Sequence, residues 1–499
     1  MMTLDKIAPL TAAALTALAL AGCGSLAPGG ANPPAPGAPV SPAWKGAASN
    51  VDWISANARR QWQTGQWWRL FGDAQLDELM PRVEVGNQNL AQAVANVAQA
   101  RALLEQAQAA RWPTLGLNLS ASRSGKPASG TSGLNASGSW SPDLWGNLAD
   151  AVRQQEANVQ ISQANLAEAL LSAQGSFAQG YFTVREADAE LALLDEIIAG
   201  YERAETITQN NYDAGISART DLLQAQSALA SARASRDQLA ASRDTAEHAL
   251  ALLLGVPPAQ FSLPRGQWTA TVPQVPASLP ADLLLRRPDI ASAERAVAAA
   301  NANIGIARAA YFPNIGLTAS AGGAASSLSR LASAPVLAWA LGLTAAEALF
   351  DGGARQGAVK QAQAERDADV ATYRQTVLTA MGQVEDDLTN LSALAEQIEQ
   401  TRIAAQAAQG VVERMMNSYQ AGISAYTDVV TAQQTALTDR RSVLQLQLQR
   451  QQTAVGLIQA LGGGWIAPWT GDKDGADGDV ADSPAVTGGA DPGMPSQGH

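Results

Sequence analysis

The chain has 499 residues, of which 5 % are aromatic and 16 % charged, and its formal net charge is −12. This weakly charged, alanine-rich composition is typical of long helices with small residues at their contacts. One cysteine and two histidines argue against a Cys/His zinc site, a disulfide framework and a Cys–His nucleophile. The negative charge argues against nucleic acid as a partner, because a nucleic-acid-binding protein carries a basic face.

The N-terminus has the features of an export signal. An apolar run from Ile7 to Ala21 has the length of a signal-peptide core and is too short to span a membrane. The run leads into the segment Leu-Ala-Gly-Cys, which ends at Cys23 and resembles the lipobox of a bacterial lipoprotein. We therefore expect a signal peptide at 1–22, a lipid on Cys23 and an extended Gly/Pro-rich, lipid-anchored linker at 23–43. A plain signal peptide with an incidental cysteine is the alternative.

Most of the remaining chain is one unit written twice. Residues 212–226 and 419–433 share ten of fifteen residues at a constant offset of 207. Two further pairs of similar segments occur in the same order, 109–117 with 309–317 and 144–146 with 349–351. A period of about 200 residues that occurs twice indicates a tandem duplication. The predicted domains are a first repeat at 44–256, a connecting segment at 257–280, a second repeat at 281–467 and a disordered acidic tail at 468–499.

Each repeat predicts a helix followed by two strands. The helices are expected over about 73–111 and about 289–310, and each ends at an aromatic residue followed by proline. Alternating apolar and polar residues then predict one strand, a Gly/Ser-rich loop and a return strand in each repeat. The predicted strands have about the length of a transmembrane β-strand, and they cover 114–122, 134–141, 314–321 and 337–343.

A long proline-free stretch follows in each repeat, over 143–254 and 336–467. Apolar residues keep heptad spacing from Leu166 to Tyr201 and again from Val377 to Ile398, which predicts coiled-coil packing. Each stretch is expected to fold back once, as two legs of about 50 residues. At ~1.5 Å per residue such a hairpin would be roughly 75 Å long.

The matching Ala-Gly-Ile-Ser segments predict the two hairpin turns. Gly215 and Gly422 are expected to take the left-handed conformation that ends a helix. Ser217 and Ser424 are expected to N-cap the following helices.

Four strands are too few to form a membrane barrel by themselves. Closure needs about eight strands, and an open sheet edge is not tolerated in lipid. The chain is therefore expected to oligomerise, and three copies would give twelve strands. Four tryptophans bracket the strands and fit an aromatic belt at the membrane interface, with ordinary core packing as the alternative: Trp112, Trp140, Trp145 and Trp339.

Four sets of motifs together carry a family resemblance that covers about residues 44–465. They are Gln66–Asp73, Leu285–Ile290, Leu349–Gly353 and the two turn segments. With them the chain resembles a TolC-type outer membrane efflux protein of the NodT-like RND efflux lipoprotein kind. The resemblance implies a mainly α fold with membrane β-strands, in which a homotrimer forms a 12-stranded barrel and coiled-coil hairpins form a periplasmic α-barrel.

The resemblance also implies the function. The chain would be the lipid-anchored outer-membrane exit duct of a tripartite efflux pump in a Gram-negative bacterium, without a cofactor. Its partners would be a periplasmic membrane-fusion (adaptor) protein, an inner-membrane RND-type transporter and outer membrane lipid. A duct of a type I secretion system is the alternative. An enzyme is not expected, because the acidic residues are scattered rather than convergent, and a purely structural coiled-coil lipoprotein would not explain the strands.

Site residues follow from the resemblance, position by position. The residues expected to contact the adaptor at the tips are Gly215, Ser217, Thr220, Gly422, Ser424 and Thr427. Those expected at the pore constriction are Asp428, its repeat equivalent Asp221, and Tyr419. This sequence has Thr431 where the family has a second acid and Ser424 where it has a latch arginine, so it departs from the family pattern at both positions.

The Arg286–Ile290 motif has a structural interpretation rather than a catalytic one. Pro288 suits the first position of a helix, and Asp289 in the first turn complements the helix dipole.

Overall fold

The computed structural model describes residues 37, 44, 65–125, 129–273, 286–326 and 338–469. The predicted signal peptide, Cys23, most of the linker and nearly all of the predicted acidic tail lie outside the described residues.

Both repeats contain one helix, two strands and two long helices in the same order, and the first repeat has a further helix at its start. The first comprises α1 (Ala74–Gly86), α2 (Gln88–Ala109), β1 (Thr114–Ser124), β2 (Ser129–Trp140), α3 (Asn147–Asp213) and α4 (Arg219–Leu253). The second comprises α5 (Pro288–Ala309), β3 (Asn314–Ala325), β4 (Ala338–Ala346), α6 (Ala354–Gln420) and α7 (Tyr426–Ala460). Short 3-10 helices lie at Trp67–Phe71 and Pro258–Gln260. The strands fall where the alternation predicts them.

The hairpin legs are unequal, so the prediction of two legs of similar length is wrong. Helices α3 and α6 have 67 residues each, and α4 and α7 have 35 each. At ~1.5 Å per residue these are about 100 Å and about 52 Å long. The reason is that α4 covers only the half of α3 nearer the turn, where Arg236 of α4 bonds Asp195. The other half packs against α2 and α5, and Ser292 of α5 bonds Asn165 there.

The single helix predicted over 73–111 is broken at Asn87. Asn87 ends α1 and caps α2, because its Oδ1 accepts hydrogen bonds from the backbone N–H groups of Asn89 and Leu90. The break lets α1 dock on the end of α4. Gly86 lies so close that a Cβ there would be 2.0 Å from the carbonyl oxygen of Leu254.

The largest hydrophobic core surrounds the middle of α3, a region we call the waist. Trp67 and Phe71 of the first 3-10 helix pack there with Leu76 and Met80 of α1. Phe177, Tyr181 and Phe182 contribute from α3, and Val455 and Ile458 from α7. Because this one core contains residues of both repeats, the waist joins the two repeats.

The four strands form one antiparallel sheet in the order β1-β2-β3-β4. The central pair, β2 with β3, joins the two repeats. Within the described residues of one chain, β1 and β4 therefore each have a free edge.

Candidate functional site

The pairing register sorts the strand residues onto an apolar face and a polar face, because directly paired residues project from the same side. The apolar face holds the rows Leu115–Gly138–Ala319–Leu341, Leu117–Ala136–Ala321–Trp339 and Trp140–Leu317–Leu343. The opposite face holds Thr114–Ser139–Thr318–Gly342 and Asn118–Asn135–Gly322. Every residue of β1 is exposed, so nothing in one chain covers its leucines. This two-faced pattern suits lipid on one side and water on the other.

The four tryptophans near the strands fall into two groups. Trp112 and Trp339 are largely exposed, as an aromatic belt requires. Trp140 is more covered and donates its indole N–H to the carbonyl of Arg111. Trp145 stacks on Phe312 with ring centroids 4.9 Å apart, so its contact joins the two repeats.

The two turns have the predicted glycine geometry. Gly215 has φ 71° and Gly422 has φ 72°. In the first turn the N–H of Ile216 donates to the carbonyl of Asn211 at 2.8 Å, the six-to-one bond of a Schellman motif. Ile423 and Ser418 make the same bond in the second turn. We call these two turns, with the first helical turns that follow them, the tips.

The prediction that Ser217 and Ser424 are N-caps is wrong. Helices α4 and α7 begin one residue later, at caps Ala218 and Ala425, which make no side-chain capping bond. Instead the N–H of the first-turn aspartate, Asp221 or Asp428, donates to the cap carbonyl at 3.1 Å. Both serine hydroxyls are buried without a hydrogen-bond partner.

The tip threonines of the two repeats also differ. Thr220 and Thr427 are both exposed. The Thr427 hydroxyl bonds the side-chain oxygen of Gln224 on α4 at 3.2 Å. This bond ties the second tip to the first, and the sequence motif alone does not indicate it.

Tyr419 lies between the hairpins and is 8 % exposed. Its ring meets that of Tyr426 edge-on with centroids 5.1 Å apart, in a cluster that includes Ala204 of α3 and Val429 of α7. Within one chain, Tyr419 is therefore part of the packing between hairpins and not an exposed pore-lining residue. Its hydroxyl is buried without a partner.

The two predicted constriction acids lie at the tips but in different surroundings. Asp428 is exposed and Asp221 is half-buried. Burial is the main reason why the pKa of Tyr426 rises to about 12, and the nearby groups Tyr419, Tyr201 and Asp221 add to the rise. Asp221 is therefore close enough to the tyrosine cluster to act on Tyr426, whereas Asp428 is exposed.

The Arg286–Ile290 motif forms a joint that occurs in both repeats. Arg287 caps α5, and Pro288 occupies its first turn. Arg287 Nη1 donates to the carbonyl of Ala460 at the end of α7 at 2.9 Å. In the first repeat Asn87, which caps α2, donates to the carbonyl of Leu253 at the end of α4. The structural interpretation of the motif is therefore confirmed.

A buried charge network that sequence reasoning missed lies at the waist. Asp188 of α3 accepts from Arg185 Nη1 at 2.9 Å and from Arg243 Nε of α4 at 3.0 Å. Arg185 also donates to the carbonyl of Pro264, and Arg243 to that of Leu263. The network thus fixes the connecting segment against the first hairpin. An arginine inside a helical heptad does not indicate in the sequence that it belongs to a buried charge network.

Two further ion pairs, also missed, join α3 to α7 between the waist and the tips. Arg440 bonds Glu196 through two nitrogens, at 3.0 and 2.8 Å. Arg441 contacts Glu190.

Neither a metal site nor a membrane-spanning helix is found in the part of the chain that the structure describes. No cluster of three or more His, Cys, Asp and Glu side chains there could hold a metal ion. In the same residues, no helix combines the length and the hydropathy that crossing a membrane requires.

Comparisons with known proteins agree on one family. The family model described as "Outer membrane efflux protein" matches residues 79–256 and 279–463. The chain is 30 % identical over 468 residues to the antibiotic efflux pump outer membrane protein ArpC of Pseudomonas putida, covering 91 % of this chain and 96 % of that protein. It is 32 % identical over 463 residues to the cation efflux system protein CusC of Escherichia coli O6:H1, covering 90 % and 97 %.

Solved structures share the fold. The crystal structure of the Campylobacter jejuni CmeC outer membrane channel matches with a TM-score of 0.80, covering 87 % of this chain and 94 % of that one. At 21 % identity this match shows the fold alone.

Proposed function

Because the chain belongs to the outer membrane efflux protein family, it is an outer-membrane channel of an efflux pump and not an enzyme, and we propose that it works as a homotrimer. Three four-stranded sheets would join through their free β1 and β4 edges into one twelve-stranded barrel. The observation that carries this proposal is the register, which gives the sheet an apolar and a polar face. The relatives named above are efflux pump proteins, which does not favour the secretion-system alternative.

The hairpins would continue the barrel as a tube into the periplasm. Helix α3 runs from the sheet to the tip, and its 67 residues extend about 100 Å. The tips are thus the part of the chain farthest from the membrane. Exposed Ile216 and Ile423 there offer an apolar surface to a periplasmic adaptor, which would connect the duct to an inner-membrane RND-type transporter. The surrounding contacts would come from Gly215, Ser217, Thr220, Gly422, Ser424 and Thr427.

The positions of Gly37 in the linker and of Trp44 just after it support a lipid anchor on Cys23. Trp44 packs into the waist core, and the carbonyl of Gly37 accepts from Arg374 Nε of α6 at 3.3 Å. Residues 37 and 44 therefore mark a path from the waist along α6 toward the sheet. The fourteen residues from Gly37 back to Cys23 span up to about 46 Å when extended. Arg374 lies about 30 Å along the helix from Ala354, where α6 begins near the sheet, so the linker is long enough to reach the membrane.

Cys23→Ser tests the anchor, with Ser25→Ala as the matched control. The Cys23→Ser variant should lose acylation and signal cleavage by the lipoprotein route, since the Cys23 thiol accepts the lipid. Mass spectrometry of the mature N-terminus measures this. An unmodified Cys23 in the wild-type protein would overturn the proposed anchor. Barrel insertion should survive the change, because twelve strands hold the trimer without acyl chains.

The assembly is tested separately. The purified protein should run as a trimer that dissociates on heating, and trimers in planar bilayers should conduct ions. Crosslinkers placed at Ile423 should capture an adaptor protein in cells. A monomer that forms no conducting pore would contradict the proposed duct.

A further inference from the structure

Glu186 and Glu190 form a buried carboxylate pair between the two hairpins, outside the tips and the sheet. They are four residues apart on α3, so they occupy successive turns of one helix face. Glu186 is 6 % exposed and Glu190 2 %. The Oε1 atom of each is buried without a hydrogen-bond partner.

One cation faces this pair from the second hairpin. Arg441 Nε of α7 lies 2.5 Å from Glu190 Oε1, in an alignment that does not make a hydrogen bond. If both carboxylates were ionised, one guanidinium would compensate only one of them. A buried charge without a partner is costly, so the pair is expected to retain one proton.

The other charged groups around the pair are already matched. On α3 itself, Arg185 and Asp188 bond each other and Arg243 of α4. On α7, Arg440 is held by Glu196. The charges that act on Glu186 are therefore those of Glu190 and Arg441.

We propose that one proton shared by Glu186 and Glu190 holds the second hairpin against the first, and that loss of this proton loosens the contact between α3 and α7. The proposal depends on the proposed function in one respect, because it treats the two hairpins as neighbouring parts of a duct wall. Separation of the hairpins would move α7 away from α3, and this pair lies at that contact.

The direction of the pH effect follows from the surroundings of Glu186. Burial, and after it the charge of Glu190, raises the pKa of Glu186 from 4.5 to about 7 in the packed state. When the hairpins separate, water reaches the carboxyl and its pKa returns toward 4.5. The packed state therefore binds the proton more tightly. The ratio of packed to separated protein should be highest below about pH 4.5. Between about pH 4.5 and about pH 7 this ratio should fall by up to tenfold per pH unit, and above about pH 7 it should stay constant.

Distances between spin labels test the proposal on the full chain purified in detergent. Labels on exposed Thr206 of α3 and Val411 of α6 report the separation of the hairpins. In the wild type, the longer distance should gain population across the window from about pH 4.5 to about pH 7. Glu186→Gln mimics the protonated acid, so it should keep the short distance at every pH in this window.

Glu196→Gln is the matched control, because Glu196 also pairs with an α7 arginine. The hydrogen bond from Arg440 lowers the pKa of Glu196, the opposite direction to that of Glu186. The Glu196→Gln variant should therefore retain the wild-type pH dependence. Wild-type distances that do not change with pH, or a Glu186→Gln variant that responds as the wild type does, would overturn the proposal.

Infrared difference spectroscopy gives a readout that needs neither labels nor conduction. Wild-type protein should show a carboxylic acid band that titrates near pH 7, and this band should be missing in Glu186→Gln. If no such band exists in the wild type, the shared proton is refuted, while the proposed duct function stands on its own tests.

Discussion

Gly422 shows how much a single residue can contribute at a tip. Its φ of 72° places an added Cβ in a conformation that costs roughly 1 kcal/mol or more. Gly422→Ala should therefore weaken the bond between Ile423 N–H and Ser418 and impair adaptor docking while trimers remain intact. Amide hydrogen exchange should show Ile423 exchanging roughly fivefold faster.

Gly410 provides the control on the same helix. It lies inside α6, and an added Cβ would meet nothing within 4 Å. Gly410→Ala should stabilise the helix by ~0.5–1 kcal/mol. Equal exchange at Ile423 in both variants, or normal adaptor crosslinking in Gly422→Ala, would contradict the role of the left-handed glycine.

Asp188 is the residue on which the waist network depends. Its side chain is 1 % exposed and lies between two arginines. Asp188→Asn would leave buried Arg185 without its anion and would leave Arg243 dependent on Glu247, which should cost about 3–5 kcal/mol of unfolding free energy. Asp195→Asn removes an exposed partner of Arg236 on the same helix and should cost no more than about 1 kcal/mol. Thermal unfolding in detergent compares the two variants, and similar midpoints would contradict the network.

At the scale of elements, the sheet makes the sharpest distinction between neighbouring residues. Leu117 lies on the apolar face, opposite Ala136, while the adjacent Ser137 lies on the polar face. An arginine at a lipid-facing position near the bilayer centre costs about 2–4 kcal/mol, whereas positions facing water tolerate charge. Leu117→Arg should thus lower the amount of heat-stable trimer in the outer membrane, and Ser137→Arg should not. Equal yields would mean that the apolar face is not the lipid face.

The strands and the long helices could be predicted because each has a regular period. Alternation in Leu115, Leu117 and Leu119 fixes a strand face, and the heptads from Leu166 to Tyr201 fix a helix. The end of a leg has no such signal. Helix α3 continues past its partner α4 because α2 and α5 cover the rest, and a heptad does not reveal which helix packs on it. The break at Asn87 likewise depends on a distant contact with Leu254.

The candidate site was only partly predictable for the same reason. The left-handed conformation of Gly215 and Gly422 depends on local geometry, so the motif predicts it correctly. The serine caps failed because the helices begin one residue later than the motif indicates. The contacts of Thr427 with Gln224 and of Arg441 with Glu190 join residues about 200 or more positions apart. Only the packing of the two repeats brings such pairs together.

At the scale of the whole molecule, the two repeats are alike in form but not in the use of their tips. Asp221 and Asp428 are equivalent in sequence, yet Asp221 is half-buried near the tyrosine cluster and Asp428 is exposed. Thr427 bonds Gln224 of the first hairpin, whereas Thr220 makes no equivalent bond within the described residues. The duplication thus supplies two similar hairpins, and because of these differences we expect the second tip, rather than the first, to form a constriction.

Asp428 is therefore the residue we expect to govern ion flow at the narrow end of the trimeric duct. Three copies would bring three carboxylates around the axis, and an acidic ring admits cations more readily than anions and binds divalent ions. Asp428→Asn trimers in planar bilayers should lose cation selectivity and become less sensitive to divalent block, because the ring would be neutral. Asp221→Asn is the matched control and should change either property much less. If Asp428→Asn trimers keep wild-type selectivity and block, Asp428 only complements the dipole of α7 and the constriction lies elsewhere.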